Sequence, residues 1–132
     1  MSQENVEIVR EAGRLYEASD WDAFGALFTE RAGVWPPDGW PEPGPYFGRA
    51  AIVQEFQRIH EPWETNRIVF DDPTGRDERL VVHLRWTVEG ESSGAPVETT
   101  MFVAVLFESG QIAEWRAYWN RAEALEAAGL SE

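Results

Sequence analysis

Alternation of large apolar residues in the last third of the chain constrains the fold most. Segments 97–107 and 112–119 flank the turn-like sequence Glu108-Ser109-Gly110-Gln111, and nearly every second residue in them is apolar. A period of two predicts a long β-hairpin with one buried face. The residues assigned to that face are Val97, Thr99, Met101, Val103, Val105, Phe107, Ala113, Trp115, Ala117 and Trp119.

Segment 80–88 repeats this pattern, with Leu84 and Trp86 on the apolar side and His83 and Arg85 between them. Three strands therefore share one apolar face that other elements must cover. A one-residue shift would expose the whole hydrophobic set, so we expect the polar residues to face outward. The opposite orientation would gather an acid-base or carboxylate-binding site from His83, Arg85, Glu98 and Arg116.

Helical spacing marks the first half of the chain. It predicts one helix over 5–19, a short second helix after the N-cap candidate Asp20, and a third over 49–60. A short strand at Gly33–Trp35 begins a proline-rich loop, whose aromatic residues indicate that it folds over an apolar opening. A strand over 65–71, a turn at 72–75 and a helix over 121–128 complete the pattern. Helices followed by strands predict an α+β fold, in which a curved antiparallel sheet encloses the helices.

Composition sets limits on partners and location. The 132 residues are expected to form a single domain, and the net charge of −13 opposes binding to nucleic acid and to anionic membranes. The start of the chain resembles no leader peptide, and no segment approaches the roughly 20 apolar residues of a membrane span. We therefore expect a cytoplasmic protein.

Cofactor and metal sites are not expected. The chain contains no cysteine, only two histidines far apart, and no glycine-rich phosphate loop. Asp71 and Asp72 are taken as the start of a turn rather than as metal ligands.

Three segments carry a resemblance that spans the chain: Asp20-Trp21-Asp22-Ala23, residues 42–49, and Arg116-Ala117-Tyr118-Trp119. Their order resembles the SnoaL-like branch of the nuclear transport factor 2-like superfamily, and residues 121–130 are similar to bacterial, mainly actinobacterial, members. The resemblance implies a cone-shaped α+β barrel with an apolar pocket between helices and sheet. It also implies a homodimer through the outer sheet face.

Polyketide cyclases, ketosteroid isomerases and limonene epoxide hydrolases belong to this superfamily. The positions that match the proton-transferring residues of ketosteroid isomerases are Ala12, Pro36 and Val103 here, and none of these can carry a proton. The Asp-Arg-Asp set of the epoxide hydrolases finds no counterpart on the inward face. The resemblance therefore implies the fold and not these two reactions.

Aromatic residues provide the candidate binding site. If the apolar face lines a pocket, a flat hydrophobic and cyclic ligand would stack on its rings. The alternative is that the same residues simply fill the core. The candidate ligand-binding residues are Tyr16, Trp35, Trp40, Phe56, Trp86, Met101, Val103, Trp115 and Trp119.

Asp38 is the candidate catalytic acid or base, because neighbouring tryptophans could shield its carboxyl group from water. Tyr46 is its candidate hydrogen-bonding partner, and Asp38-Gly39 as an ordinary turn is the alternative. His60 is either a base at the pocket rim or a residue favoured at a helix end.

Three functions follow from these candidates. The first is a protein that binds a small hydrophobic molecule and acts as a cofactor-free isomerase, cyclase or hydrolase. The second is a non-catalytic ligand-binding protein, and the third is a dimeric interaction module.

Overall fold

The computed structural model describes residues 3–90 and 94–130, which contain four helices and one six-stranded sheet. Residues 1–2, part of the segment expected not to be a leader, lie outside the described residues. The α+β class predicted from the sequence is confirmed. In chain order the elements are α1 (Gln3–Ala18), α2 (Trp21–Ala26), β1 (Phe28–Trp35), β2 (Tyr46–Phe47), α3 (Arg49–His60), β3 (Thr65–Arg76), β4 (Arg79–Glu89), β5 (Val97–Glu108), β6 (Gln111–Tyr118) and α4 (Arg121–Ala128).

The strands form a curved sheet in the order β2-β1-β6-β5-β4-β3. Within the described residues β2 and β3 are its edges, so the sheet does not close on itself. All neighbouring pairs are antiparallel, as expected, except β1 and β6, which pair in parallel. The sheet is therefore mixed. Its parallel pair joins the first long strand to the last one, and the chain between them provides the long crossover that parallel strands require.

Burial follows the predicted alternation in the central strands. On β5, Val103, Val105 and Phe107 are almost completely buried, while Phe102 and Leu106, which point to the opposite face, remain partly exposed. The buried face packs against α1 and α3, whose Val9 and Ile52 are fully buried. Each such side chain contributes about 1.5–3 kcal/mol to the free energy of unfolding, so this interface accounts for much of the stability.

Helix α4 covers part of the outer sheet face. Asn120 caps it by accepting a hydrogen bond from the Glu123 N–H at 2.9 Å, and the helix ends at Gly129 with φ of 71°. Its residues Ala124 and Leu125 pack on the outer face of β4 and β5, where Phe102 also joins them. The chain's own helix thus occupies part of the face expected to hold a second subunit, and the homodimer stays a prediction.

No helix within the described ranges is both long enough and apolar enough to cross a membrane.

The turn predicted at 72–75 is wrong. Strand β3 continues to Arg76, and the β3–β4 turn falls at residues 77–78. The register shifts between Asp71 and Thr74, and Asp72 has a φ of 49°. This irregularity accommodates Pro73, which has no N–H to donate, without ending the strand.

The short strand expected at Gly33–Trp35 also differs, because β1 begins at Phe28. The pair Tyr46–Phe47 forms a second strand that was expected to be loop, and it pairs with Val34 and Gly33. The proline-rich loop is thereby reduced to residues 36–45, and this name refers to that segment below.

Gly33 makes room for the ring of Trp35. That ring packs edge-to-face on Phe47 at 5.5 Å between centroids, and the Arg116 guanidinium lies 3.7 Å from the Trp35 ring centroid. A Cβ atom at position 33 would lie 2.6 Å from Cη2 of Trp35 and 3.0 Å from Cε1 of Phe47. The start of the proline-rich loop therefore depends on a residue without a side chain at position 33.

We expect Gly33→Ala to lower the free energy of unfolding by about 1–3 kcal/mol, because the new methyl group overlaps the indole. In a Trp35→Ala background the same substitution should cost less, since the overlapping indole is gone and only the close contact with Phe47 remains. Urea unfolding of the wild type, the two single variants and the double variant measures this coupling. An equal cost in both backgrounds would show that the strain lies in the backbone instead.

Candidate ligand-binding site

A cavity of about 70 Å³ lies between the concave face of the sheet, helices α1 and α3, and the proline-rich loop. The loop supplies part of the wall through Pro36, Pro37 and Trp40, in line with the expectation that it folds over an apolar opening. The lining residues are aromatic or aliphatic apart from one acidic residue, and the surface that they present to the cavity is almost entirely apolar. The lining comprises Tyr16, Val34, Trp35, Pro36, Pro37, Trp40, Glu55, Phe56, Ile59, Ile68, Leu84, Trp86, Met101, Trp115 and Ala117.

Trp115 of β6 organises the aromatic rings on one side of the cavity. The ring of Phe56 meets it edge-to-face at 5.9 Å between centroids, and the ring of Phe70 does so at 5.8 Å. On the other side Trp40 of the loop lies 6.4 Å from Trp86 of β4, with the two planes tilted by 42°. Such contacts fix the rings in place, so the wall is largely formed before any ligand arrives.

The buried amide of Asn66 satisfies the polar ends of two lining side chains. Its Oδ1 accepts hydrogen bonds from the Tyr16 hydroxyl at 2.9 Å and from Trp86 Nε1 at 3.1 Å. Its Nδ2 donates to the backbone carbonyl of His60 at 3.1 Å. Because these groups bond to one another, Tyr16 and Trp86 contribute ring carbon rather than free hydrogen-bonding groups to the cavity.

Burial raises the pKa of Tyr16 well above its usual value of 10.0, and the hydrogen bond from Trp86 opposes this only in part. The hydroxyl therefore remains a neutral donor to Asn66 at physiological pH.

Glu55 of α3 is the acidic residue among the described residues that line the cavity. It is only 8% exposed, and its carboxylate accepts two hydrogen bonds from Arg58, from Nε and from one terminal nitrogen, both at 2.7 Å. The carboxylate raises the pKa of Arg58 through these bonds. The pKa of Tyr46 is raised by partial burial and then by the charges of Glu55 and Glu42.

Sequence reasoning missed both Glu55 and Asn66. Glu55 lies three positions after Ile52 and four before Ile59, so helical spacing alone places it on the buried face. Asn66 shares the inward side of β3 with Phe70, where a polar side chain indicates a buried hydrogen-bonding role. A polar residue at a position that the periodicity assigns to the buried face was therefore the signal that could have identified both.

Most candidate ligand-binding residues lie around the cavity, and their role in binding stays a prediction. Tyr16, Trp35, Trp40, Phe56, Trp86, Met101 and Trp115 line it. Val103 faces inward but is completely buried in the adjoining core and is not among the lining residues.

Trp119 is also outside the described lining. Strand β6 ends at Tyr118, so the alternation that assigned Trp119 to the inner face no longer applies. Its side chain is exposed, and its Nε1 donates to the backbone carbonyl of Asp38 at 2.8 Å. The residue fastens the proline-rich loop instead of shaping the cavity.

The hydroxyl of Tyr46 bonds to a group other than Asp38, its expected partner. Asp38 is exposed and borders a shallow cleft with Arg116 and Trp119, so its carboxylate lies outside the described lining of the cavity. The adjacent Gly39 has a φ of 83°, which fits the turn considered as the alternative. The Tyr46 hydroxyl donates to the backbone carbonyl of Glu42 at 2.6 Å.

His60 belongs to an aromatic cluster beside the cavity. Its ring packs edge-to-face on Tyr16 at 4.9 Å and on Trp21 at 5.5 Å, and its Nε2 lies 3.3 Å from the Ser19 hydroxyl oxygen. It is not among the residues that line the described cavity.

The polar residues between the apolar ones of β4 lie on the outer face, as expected. His83 Nδ1 is 2.9 Å from Asp71 Oδ1, and Arg85 donates to Asp71 Oδ2 at 3.1 Å. Asp71, Asp72 and His83 bring ligand atoms within 4.8 Å of one another, an arrangement that could hold a metal ion although the sequence predicted none. The Arg85 cation competes for Asp71 in that arrangement.

We expect Tyr16→Phe to change how stability depends on pH. At neutral pH the wild type should be more stable by about 0.5–1.5 kcal/mol, because the variant lacks the bond to Asn66. Above pH 10.0 the unfolded chain releases the Tyr16 proton while the folded protein retains it, so this contribution is complete below pH 10 and is lost as pH rises. By pH 11 the loss is about 1.4 kcal/mol.

Urea unfolding of both proteins at pH 7, 9, 10 and 11 measures this difference. The remaining tyrosines, Tyr46 and Tyr118, are present in both proteins, so their contributions cancel in the comparison. A stability difference that stays constant from pH 7 to pH 11 would contradict the raised pKa.

Three solved structures are similar to this one over nearly their whole length. A ketosteroid isomerase-like protein from Catenulispora acidiphila, in complex with trimethylamine, is 15% identical with a TM-score of 0.74, covering 95% of this chain and 94% of its own. RV0760c from Mycobacterium tuberculosis, in complex with estradiol-17β-hemisuccinate, is 17% identical with a TM-score of 0.73, covering 92% and 97%. SalBIII, an epoxide hydrolase/cyclase-like enzyme in pyran ring formation of the polyether salinomycin, is 24% identical with a TM-score of 0.74, covering 91% and 93%.

At these identities the similarity shows the fold alone. No functionally curated protein matches the sequence. The sequence pattern of the SnoaL-like domain matches residues 9–115, which include α2, α3, most of α1 and most of the sheet. The chain therefore belongs to the SnoaL-like domain family.

Proposed function

We propose that this protein binds a small hydrophobic, cyclic molecule in the cavity between its helices and its sheet. The observation that carries the proposal is the lining, where aromatic rings from α1, α3, β4, β6 and the proline-rich loop converge on one space. Ligand sites in proteins are typically such apolar concavities with few polar groups.

The size of the cavity limits what it holds as it stands. Its volume of about 70 Å³ is smaller than the cavity of about 150 Å³ in which an engineered protein binds benzene. A ring that enters must therefore displace part of the wall. The proline-rich loop is the part of the wall that lies in neither a helix nor a strand, and an exposed hydrogen bond from Trp119 Nε1 to the Asp38 carbonyl holds it.

The similar proteins support a range of ligand sizes on this fold, since they were crystallised with ligands as different as trimethylamine and estradiol-17β-hemisuccinate. We take this as support for a pocket whose volume differs between proteins of this fold. The ligand of this protein must therefore be inferred from its own lining residues.

Binding without chemistry is the better supported role. Proton transfer needs an acid or base in contact with the ligand. Asp38 is solvated outside the described lining, and the polar ends of Tyr16 and Trp86 are held by Asn66. An isomerase, cyclase or hydrolase would have to use Glu55, which is already bonded to Arg58. We therefore favour the non-catalytic ligand-binding protein over the enzyme.

A thermal-shift titration with benzene, cyclohexanone and indole tests the proposal. A compound at 100 times its dissociation constant should stabilise the native state by about 2.7 kcal/mol. Leu84→Phe should abolish the shift, because Leu84 lines the cavity but not the outer cleft, and the larger side chain fills the space. Trp119→Ala removes part of the wall of the outer cleft and leaves the cavity lining intact, so the shift should persist in this variant.

Cooperative unfolding of each variant shows that it is folded. If the shift persists in Leu84→Phe and disappears in Trp119→Ala, the ligand binds the outer cleft and the proposal is wrong. If none of the compounds stabilises the wild type, the cavity is a packing defect of the core rather than a site.

A further inference from the structure

We propose that the ring bound in the cavity is a hydrocarbon, and that the cavity rejects rings of the same shape that carry a hydroxyl or carbonyl group. The inference rests on the proposed function, because it names the chemical class of the molecule that the same cavity binds. It follows from the hydrogen-bonding state of the surrounding residues, since a polar group of a ligand is accommodated only where a partner is free.

The polar side chains next to the cavity are bonded to one another. Tyr16 and Trp86 both donate to Asn66 Oδ1, and the Glu55 carboxylate accepts two hydrogen bonds from Arg58. Among the described residues, every buried side-chain nitrogen or oxygen has a hydrogen-bonding partner. These bonds leave a cavity surface that is almost entirely apolar.

The proline-rich loop adds few hydrogen-bonding groups to the wall. Pro36 and Pro37 line the cavity and have no backbone N–H to donate. The Pro37 carbonyl accepts from the Trp40 N–H at 3.1 Å, and the Asp38 carbonyl accepts from Trp119 Nε1 at 2.8 Å. A ring that enters past the loop therefore meets mainly carbon.

Desolvation makes such a wall selective. A hydroxyl or carbonyl group gives up its hydrogen bonds to water when it enters, and an apolar wall returns none. A methyl group of similar size enters without that cost and gains from leaving water. A site with one free partner would return part of the lost bond energy, so the size of the preference tests the inference as well as its direction.

A polar ligand could gain a bond here only by displacing an existing one. Asn66 Oδ1 has two lone pairs, and the Tyr16 hydroxyl and Trp86 Nε1 use both. An alcohol that bonded to this oxygen would leave one of the two donors buried without a partner, and that loss offsets the new bond. The network around Asn66 thus acts against oxygenated ligands.

Toluene and phenol provide a matched pair of probes, because they share one outline and differ only in a methyl or hydroxyl group. Methionine labelled with ¹³C in its methyl group reports on the cavity, since Met101 lines it and the chain has only one other methionine, from which Met101→Leu distinguishes the signal. An aromatic ring in the cavity shifts the Met101 methyl resonance, so NMR titration gives both dissociation constants. We expect toluene to bind at least about thirtyfold more tightly than phenol.

Two variants test whether hydrogen bonding causes this preference. Val34→Thr adds a hydroxyl group to the cavity wall and keeps its shape, and Leu84→Asn adds an amide there. The ratio of the two dissociation constants should fall about fivefold in at least one of them, because phenol gains a partner. Val97→Thr makes the first change at the start of β5, where the side chain is 53% exposed, and should leave the ratio unchanged.

The outcomes distinguish this inference from the proposed function. If phenol binds within about thirtyfold of toluene, the hydrocarbon preference is wrong and a pocket for small rings remains. If the ratio is unchanged in both cavity variants, while they unfold cooperatively and bind toluene, the lack of partners is not the cause and the inference is also wrong. If toluene, phenol and the rings of the thermal-shift titration all fail to bind, both proposals are wrong.

Discussion

The side-chain amide of Asn66 joins four parts of the structure at one buried point. From β3 it binds Tyr16 of α1, Trp86 of β4 and the carbonyl of His60 at the end of α3. A buried amide without partners costs about 1–3 kcal/mol, so the three elements are held at the positions where all of its bonds form. Because the helices cannot shift without breaking these bonds, the space between them and the sheet keeps its shape.

The same bonds determine the chemistry of the cavity. Tyr16 and Trp86 each carry a polar atom, and Asn66 holds both atoms away from free hydrogen bonding. What remains toward the cavity is almost entirely carbon, because the carboxylate of Glu55 is bonded to Arg58. If the cavity binds a ligand as proposed, its shape and apolar surface would decide which molecule fits.

Periodicity in the sequence predicted the parts of the fold that repeat. The alternation over 80–88 and 101–107 gave the correct inward face, because a sheet with one buried side requires it at every second position. It was wrong for Val97 at the start of β5, which was assigned to the buried face and is 53% exposed. It misplaced Trp119, where the strand had already ended, and the turn at 72–75, where an irregularity let β3 continue past Pro73. Alternation predicts a side chain's direction only while the strand lasts.

The candidate site was also predicted well where residues repeat along a helix or strand, and poorly elsewhere. Apolar lining residues were identified as a class, while Glu55 and Asn66 were not named as part of the site. Asp38 was chosen for its aromatic neighbours in sequence, yet the turn at Gly39 directs its carboxylate to solvent. Chain neighbours in a loop do not fix which side chains share a space, whereas positions on one helix face do.

The absence of the family's proton carriers gives the cavity its character. The positions that the resemblance assigns to proton transfer hold Ala12 and Val103, both buried in the core, and Pro36 in the cavity wall. Such residues add packing and carry no charge. The buried carboxylate of Glu55 is the exception near this wall, because burying a charge is costly unless a partner compensates. Arg58 compensates from the solvent side, so the pair leaves the surface of the cavity apolar.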